Sequence, residues 1–316
     1  MVRKEELTYK SRDRQTMLHA VRWIPDGEPK AVLQIIHGMQ EYVDRYDEFA
    51  NYLAERGILV IGNDHLGHGK SVGEHGTYGF FCKDDPATVL VRDAHRLKKM
   101  TQEDFPGVPC FILGHSFGSF IAREYITRYG TGISGAIIQG TAFMPSSAVG
   151  SLRGICNFLS VTMGEKYRSS MVNNMAFKGY LKKINSPRTK FDWLSHNNES
   201  IDKYMADPAC NFVFTVNGFK TMAELLKRIQ DTDKMEDIPK DLSILITGGA
   251  EDPVGNYGEA FEKLYRTFKN DIGLPKTELK IYDGMRHELQ QEIGREKVYA
   301  DQLEWIEKVL KSETAG

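Results

Sequence analysis

Short apolar runs alternate with longer amphipathic stretches along most of this chain. The runs at 31–36, 58–62, 110–113, 133–139, 243–247 and 279–282 have strand length. Their alternation with helical stretches predicts a mostly parallel sheet covered on both faces, hence an α/β fold. Upstream, 5–9 and 16–24 predict a hairpin around Ser11-Arg12-Asp13. The stretch 295–311 carries Tyr299, Leu303, Ile306 and Leu310 at helical spacing, which predicts a last helix packed on the sheet.

The alternation breaks between 143 and 226. These 84 residues contain no convincing buried strand, but helix-like pieces at 152–162 and 171–184. They hold six of the twelve methionines and seven of the sixteen phenylalanines. An insert of this length reads as a lid, and a Met-rich, aromatic surface adapts to flexible apolar ligands. The expectation is therefore a core of 1–142 and 227–316 with a helical cap of 143–226 inserted in it. Phe158, Met163, Met175, Phe177, Trp193 and Phe212 are the cap residues considered for a substrate pocket, and sequence does not say which of them face inward.

Composition narrows the class. A length of 316 residues suits one large domain or a domain with an insert, and 41% hydrophobic residues is ordinary for a globular fold. With 41 Lys and Arg against 43 Asp and Glu, the net charge of −2 argues against a nucleic-acid partner. No apolar run reaches the roughly 20 residues of a membrane span. The charged start Met1-Val2-Arg3-Lys4-Glu5-Glu6 has no secretory apolar region, which gives the expectation of a cytoplasmic protein. Cys82, Cys110, Cys156 and Cys210 are too scattered for a zinc site or a disulfide framework, and Cys110 reads as a small core residue.

The chemistry is concentrated at Gly114-His115-Ser116-Phe117-Gly118, between the apolar run 110–113 and the helical stretch 117–129. Gly-x-Ser-x-Gly in strand–turn–helix context is a nucleophile elbow, whose glycines relieve crowding in a strained turn. A serine hydroxyl needs a base and a group to orient that base. In this topology they follow in the order Ser, acid, His. Only His196 and His287 lie after Ser116. His196 sits in the polar stretch Ser195-His196-Asn197-Asn198, whereas His287 follows a strand-like run and the turn Asp283-Gly284. His287 is thus at a strand's C-terminal end, where α/β proteins place reactive groups.

For the acid, Gly248-Gly249-Ala250-Glu251-Asp252-Pro253 follows the apolar run 243–247. Asp252 is the expected member and Glu251 its local competitor, because Pro253 stiffens the loop at Asp252. Asp231, Asp233, Glu236 and Asp237 precede the strand, and Asp283 would have to bend back across its own turn. The oxyanion hole requires two backbone N–H donors. Phe117 supplies one, and Met39 the other from the loop His37-Gly38-Met39-Gln40 after the apolar run 31–36.

His37-Gly38-Met39-Gln40-Glu41, the segment from Asn63 through His65 and His68 to Ser71, the elbow, Glu251-Asp252-Pro253-Val254-Gly255 and Arg286-His287-Glu288 occur in one order. Over nearly the whole chain this resembles the monoacylglycerol lipase and bacterial lysophospholipase branch of the α/β-hydrolases, in the serine aminopeptidase S33 group. The resemblance implies an α/β-hydrolase fold, Ser116 as nucleophile, Asp252 and His287 as its relay, and Met39 and Phe117 as oxyanion donors. The chain departs from the lipase pattern at Tyr42, where that branch usually has histidine. His65 and His68 read as loop architecture.

The leading expectation is a serine hydrolase acting on a small-molecule carboxylic ester with an apolar acyl or aryl group, of monoacylglycerol or lysophospholipid type. A feruloyl or cinnamoyl esterase is the alternative. An amidase or aminopeptidase would typically carry a Gly-Gly-Pro-Gly oxyanion loop, and a catalytically silent binding protein would not need the complete set of residues. No cofactor and no metal are expected. Oligomeric state is not legible.

Overall fold

The computed structural model describes residues 1–314. Eight strands form one sheet: β1 (Arg3–Lys10), β2 (Met17–Ile24), β3 (Ala31–Ile36), β4 (Ile58–Asn63), β5 (Cys110–His115), β6 (Gly135–Gln139), β7 (Ser243–Gly249) and β8 (Thr277–Tyr282). Their spatial order is β1-β2-β4-β3-β5-β6-β7-β8. β2 pairs antiparallel with both β1 and β4, and every other pairing is parallel. The six apolar runs mark β3 to β8 and the expected hairpin marks β1 and β2, but β5 continues to His115 because Gly114 and His115 pair with Ile138 and Gln139 of β6.

Ten helices accompany the sheet among the described residues: α1 (Asp47–Ala54), α2 (Pro86–Asp104), α3 (Phe117–Tyr129), α4 (Ser146–Met163), α5 (Ser170–Ala176), α6 (Asn198–Ala206), α7 (Val216–Ile229), the single turn α8 (Thr232–Met235), α9 (Glu259–Arg266) and α10 (Arg295–Thr314). Side chains alternate across a strand, and β5 shows the consequence. Cys110 and Ile112 join the apolar layer under α2, α3 and α9, while Phe111 and Leu113 join the layer under α1 and α10. Both layers are buried, so both faces of the sheet are covered as in a parallel sheet. No described helix is long and apolar enough to cross a membrane.

Between β6 and β7 the described chain is helical and irregular, from α4 to α8. The stretch 171–184 does not form one helix. α5 stops at Ala176, and the following turns pass through Gly179 at φ +89° and Ser186 at φ +50°. α7 runs to Ile229, so position 226 falls inside it. Its Phe219, Ala223, Leu225 and Leu226 belong to the main apolar layer, while Phe191, Trp193, Leu194, Ile201 and Tyr204 form a separate small cluster.

Candidate active site

Ser116 sits between β5 and α3 with φ +54° and ψ −121°. A non-glycine residue held there costs on the order of 1–3 kcal/mol, and persists only where its surroundings enforce it. The Ser116 N–H donates to the Gln139 carbonyl at 2.9 Å. The flanking glycines are required by space. A Cβ on Gly114 would lie 2.5 Å from the Gly118 carbonyl oxygen, and one on Gly118 would overlap the carbonyl oxygens of Ile36 and His37. Strand pairing of Ile36 with Gly114 explains this proximity, and brings the loop after β3 alongside the elbow.

His287 lies in the loop after β8, and Asp252 in the loop after β7. Their adjacency follows from the pairing of β7 with β8. His287 Nδ1 is 2.9 Å from Asp252 Oδ2, and both side chains are buried. A carboxylate only accepts, so Nδ1 carries the proton and the lone pair is on Nε2. Nε2 is buried, has no hydrogen-bond partner among the described residues, and His287 lines one cavity with Ser116. Asp252 Oδ1 accepts the Val254 N–H at 2.8 Å. The competing residues take each other: His196 Nε2 lies 2.9 Å from Glu251 Oε2, on a more exposed part of the surface.

Gly140 had no signal in the sequence. It has φ +59°, and a Cβ there would stand 3.1 Å from Cε1 of His287. The backbone turn after β6 thus makes room for the imidazole. On other sides the ring meets His115 at 4.8 Å and Trp193 at 5.2 Å between centroids.

Met39 and Phe117 both line the cavity. Phe117 is the first residue of α3, so its N–H is among the four that find no acceptor within the helix. Gly38 is needed for close approach and not for a left-handed turn: its Cβ would meet Ser116 Cβ at 3.0 Å and Glu41 Oε1 at 2.6 Å. The left-handed position in this loop is Gln40, at φ +59°.

Behind the loop lies a buried polar network. Glu41 Oε1 accepts the Gly38 N–H at 2.5 Å and the Tyr46 hydroxyl at 3.0 Å, and sits 2.9 Å from His115 Nδ1. Arg45 donates to Glu41 at 3.3 Å and grips both oxygens of Glu288 at 2.6 and 2.8 Å. Burial opposes the charge on Glu41, but His115, Arg45 and the Gly38 N–H outweigh it and bring its pKa down to about 2. Burial likewise opposes a charged His115, and Glu41 reverses the balance so that the imidazole pKa is raised. His115 Nε2 then donates to the His287 carbonyl at 3.2 Å. Tyr42, the departure from the lipase pattern, donates its hydroxyl to Asp207 at 2.6 Å, just past α6.

His37, His65 and His68 form a second buried group. The His65 N–H donates to His37 Nε2 at 3.0 Å, and the two rings lie 3.9 Å apart. Burial, reinforced by the His68 imidazole, brings His65 down to about 3, and burial brings His68 down to about 4. Neutral rings packed on Phe81 and Phe117 are wall material beneath the elbow.

The cavity over Ser116 has a volume of about 330 Å³. Its lining is mainly apolar and includes Phe117 and Phe120 from α3, Leu152 from α4, and Met175, Phe177 and Trp193 from further along the insert. Of the six residues considered for the pocket, these last three therefore reach it. Phe158 and Met163 do not: they are 68% and 56% exposed. Phe212 packs on Tyr78 and His68 and lines a neighbouring cavity of about 310 Å³, which shares Phe177, Tyr180 and Trp193 with the first.

The profile of the serine aminopeptidase S33 family matches residues 27–294. The chain belongs to that family. Within the S33 family it resembles mouse monoglyceride lipase, with 27% identity over 93% of this chain and 88% of the relative. It also resembles the monoacylglycerol lipase of Mycolicibacterium smegmatis, with 25% identity over 90% of each. Among solved structures, a thermostable carboxyl esterase from Bacillus coagulans in complex with glycerol superposes with a TM-score of 0.89 at 26% identity, over 98% of this chain and 100% of that one. This S33 protein is an α/β-hydrolase of the monoacylglycerol lipase branch and a carboxylic ester hydrolase.

Proposed function

We propose that this enzyme hydrolyses esters of apolar acyl groups, of monoacylglycerol or lysophospholipid type, through a Ser116–His287–Asp252 triad and an acyl-enzyme. The observation that carries the proposal is a buried His287 whose Nδ1 is held by Asp252 while its unpartnered Nε2 shares an apolar cavity with Ser116. Nε2 takes the Ser116 proton as Oγ attacks the ester carbonyl, and returns it to the leaving alcohol. Asp252 keeps the tautomer and stabilises the cation. The Met39 and Phe117 N–H groups bind the oxyanion, at the positive end of α3. Water then attacks the acyl-enzyme with His287 again as base.

The stretch 143–226 acts as a cap in this reading, since it supplies Leu152, Met175, Phe177 and Trp193 to the wall. The lipase and esterase names of the relatives agree with an ester substrate. An aminopeptidase would need a carboxylate available to a substrate ammonium. The cavity does touch Glu41 and Glu288, but these are committed to His115 and Arg45. Hydrolysis rates over monoacylglycerols, lysophospholipids, hydroxycinnamate esters and aminoacyl amides test the assignment. Preference for long-chain monoesters supports it, and preference for aminoacyl amides overturns it.

A further inference from the structure

The insert joins the core through two necks, and one side chain holds both. The chain leaves β6 through Thr141, Ala142 and Phe143, and α7 brings it back, with Ile229 as its last helical residue. The final carbonyls of a helix have no donor within it. Arg123 of α3 supplies one. Its Nη2 donates to the Ile229 carbonyl at 2.8 Å, while Nη1 donates to the Ala142 carbonyl at 3.2 Å and to Thr141 Oγ1 at 3.3 Å. A planar guanidinium fork suits such a two-sided grip. Gln230 ties the same two segments a second time. Its side chain accepts the Met144 N–H at 2.8 Å and donates to the Met144 carbonyl at 2.9 Å.

The burial of Arg123 shows that more than packing is involved. It is 2% exposed, and with no carboxylate to offset its loss of water, burial brings its pKa down to about 9. Its Nε has no hydrogen-bond partner among the described residues, and the adjacent Glu124 is taken by Arg128. An aliphatic side chain would fill this space at lower cost. What the guanidinium adds is direction, toward both necks at once.

The parts it ties are substrate wall. Phe143 and Met144 of the outgoing neck line the cavity over Ser116, together with Met222 and Leu226 of α7 and Phe120 of α3. The Phe143 ring also lies 5.6 Å from Arg123 Cζ and 4.0 Å from Lys263 Nζ. α3 begins at the elbow, so Arg123 stands about two turns from Ser116 on the helix that follows the nucleophile. We propose that Arg123 is a positioning residue that sets how the insert sits over Ser116, and thereby the selectivity for acyl chain length. It acts through the necks and touches no reacting atom. The inference rests on the ester-hydrolase reading of the site.

The test is kcat and KM of the full chain on p-nitrophenyl esters from acetate to decanoate, for the wild type, Arg123→Met and Gln230→Leu. In Arg123→Met, kcat/KM on the decanoate should fall by about tenfold, the worth of roughly two buried methylenes, while the acetate stays within about twofold. The loss should appear mainly in KM. Gln230→Leu should shift the profile in the same direction by a smaller factor. Loss of fold or of the elbow would instead lower every ester alike, so a uniform fall that includes the acetate overturns the inference, as does an unchanged profile in both variants. If Arg123→Met does not fold, Gln230→Leu decides alone: a selective loss on long esters supports the inference and an unchanged profile overturns it. A wild type that hydrolyses no ester of any length removes the ester reading and this inference with it, whereas an active wild type with insensitive variants removes this inference only.

Discussion

Glu41 and His115 form a buried ion pair, Oε1 to Nδ1 at 2.9 Å, one residue before the candidate nucleophile. The same Glu41 oxygen accepts the Gly38 N–H, and the other nitrogen of His115 donates to the His287 carbonyl. One pair of side chains thus fastens three loops of the site: the one after β3, the elbow and the histidine loop. In Glu41→Gln the charge that fixes Gly38 is lost. We expect kcat to fall by about 100-fold from misplacement of the oxyanion donors, with a smaller change in KM. Steady-state kinetics on one soluble ester decide the point, and an unchanged kcat would reduce the network to packing.

The pair also gives a pH signature in stability. Glu41 has its pKa lowered from an ordinary 4.5 to about 2, so its contribution is present above 4.5 and lost as pH falls toward 2. His115 has its pKa raised from 6.5, so its contribution is full below 6.5 and lost as pH rises through the raised value. The difference in Tm between the wild type and His115→Asn should therefore be largest between pH 4.5 and 6.5 and shrink on either side. Thermal unfolding across a pH series measures it. A constant difference would mean that His115 is neutral in the fold.

Gly140→Ala should damage activity more than stability. The new methyl would press on Cε1 of His287 from 3.1 Å, in a backbone conformation alanine resists. A displaced general base costs on the order of 100-fold in kcat, while the strain itself costs about 1–2 kcal/mol. Kinetics and chemical denaturation of one variant separate the two effects. A normal kcat would show that His287 is not confined by the turn after β6.

Asp252→Asn should lower kcat by about 10⁴-fold, as loss of the orienting acid does in serine hydrolases with this triad. Glu251→Gln removes a surface partner of His196 and should leave kcat within twofold or so by the same reasoning. The reverse ranking would transfer the acid's role to Glu251.

Cap residues should separate by facing. Each methylene buried in the wall contributes about 0.8 kcal/mol, or roughly fourfold in kcat/KM per carbon until the cavity is full. Phe177→Ser should flatten that dependence for long acyl chains and spare acetate esters. Phe158→Ser should leave the chain-length profile of soluble esters unaltered. Matching profiles for the two variants would contradict the assignment of the cavity wall.

The chain-length contrast also marks what the sequence could and could not convey. Strands are local patterns, so β1 to β8 are legible to within two residues at most ends. The elbow is a contiguous motif, and Asp252 and His287 are found by counting forward to strand ends. The Glu41–His115 pair spans 74 positions and depends on β3 lying beside β5, which no local pattern states. Gly140 looks like any glycine until a ring is placed against it. Phe158 and Phe177 are equally apolar in the chain, and only the direction of α4 and the break after α5 put one in solvent and the other in the cavity. Solvent-exposed apolar residues are what defeats inference from hydrophobicity here.

The most direct test of the account is the site of covalent labelling by a fluorophosphonate. Intact mass and peptide mapping should show one adduct, on Ser116. Labelling should be absent in Ser116→Ala and slowed by several orders of magnitude in His287→Ala, in parallel with ester turnover. An adduct on another residue, or undiminished turnover in Ser116→Ala, would contradict it.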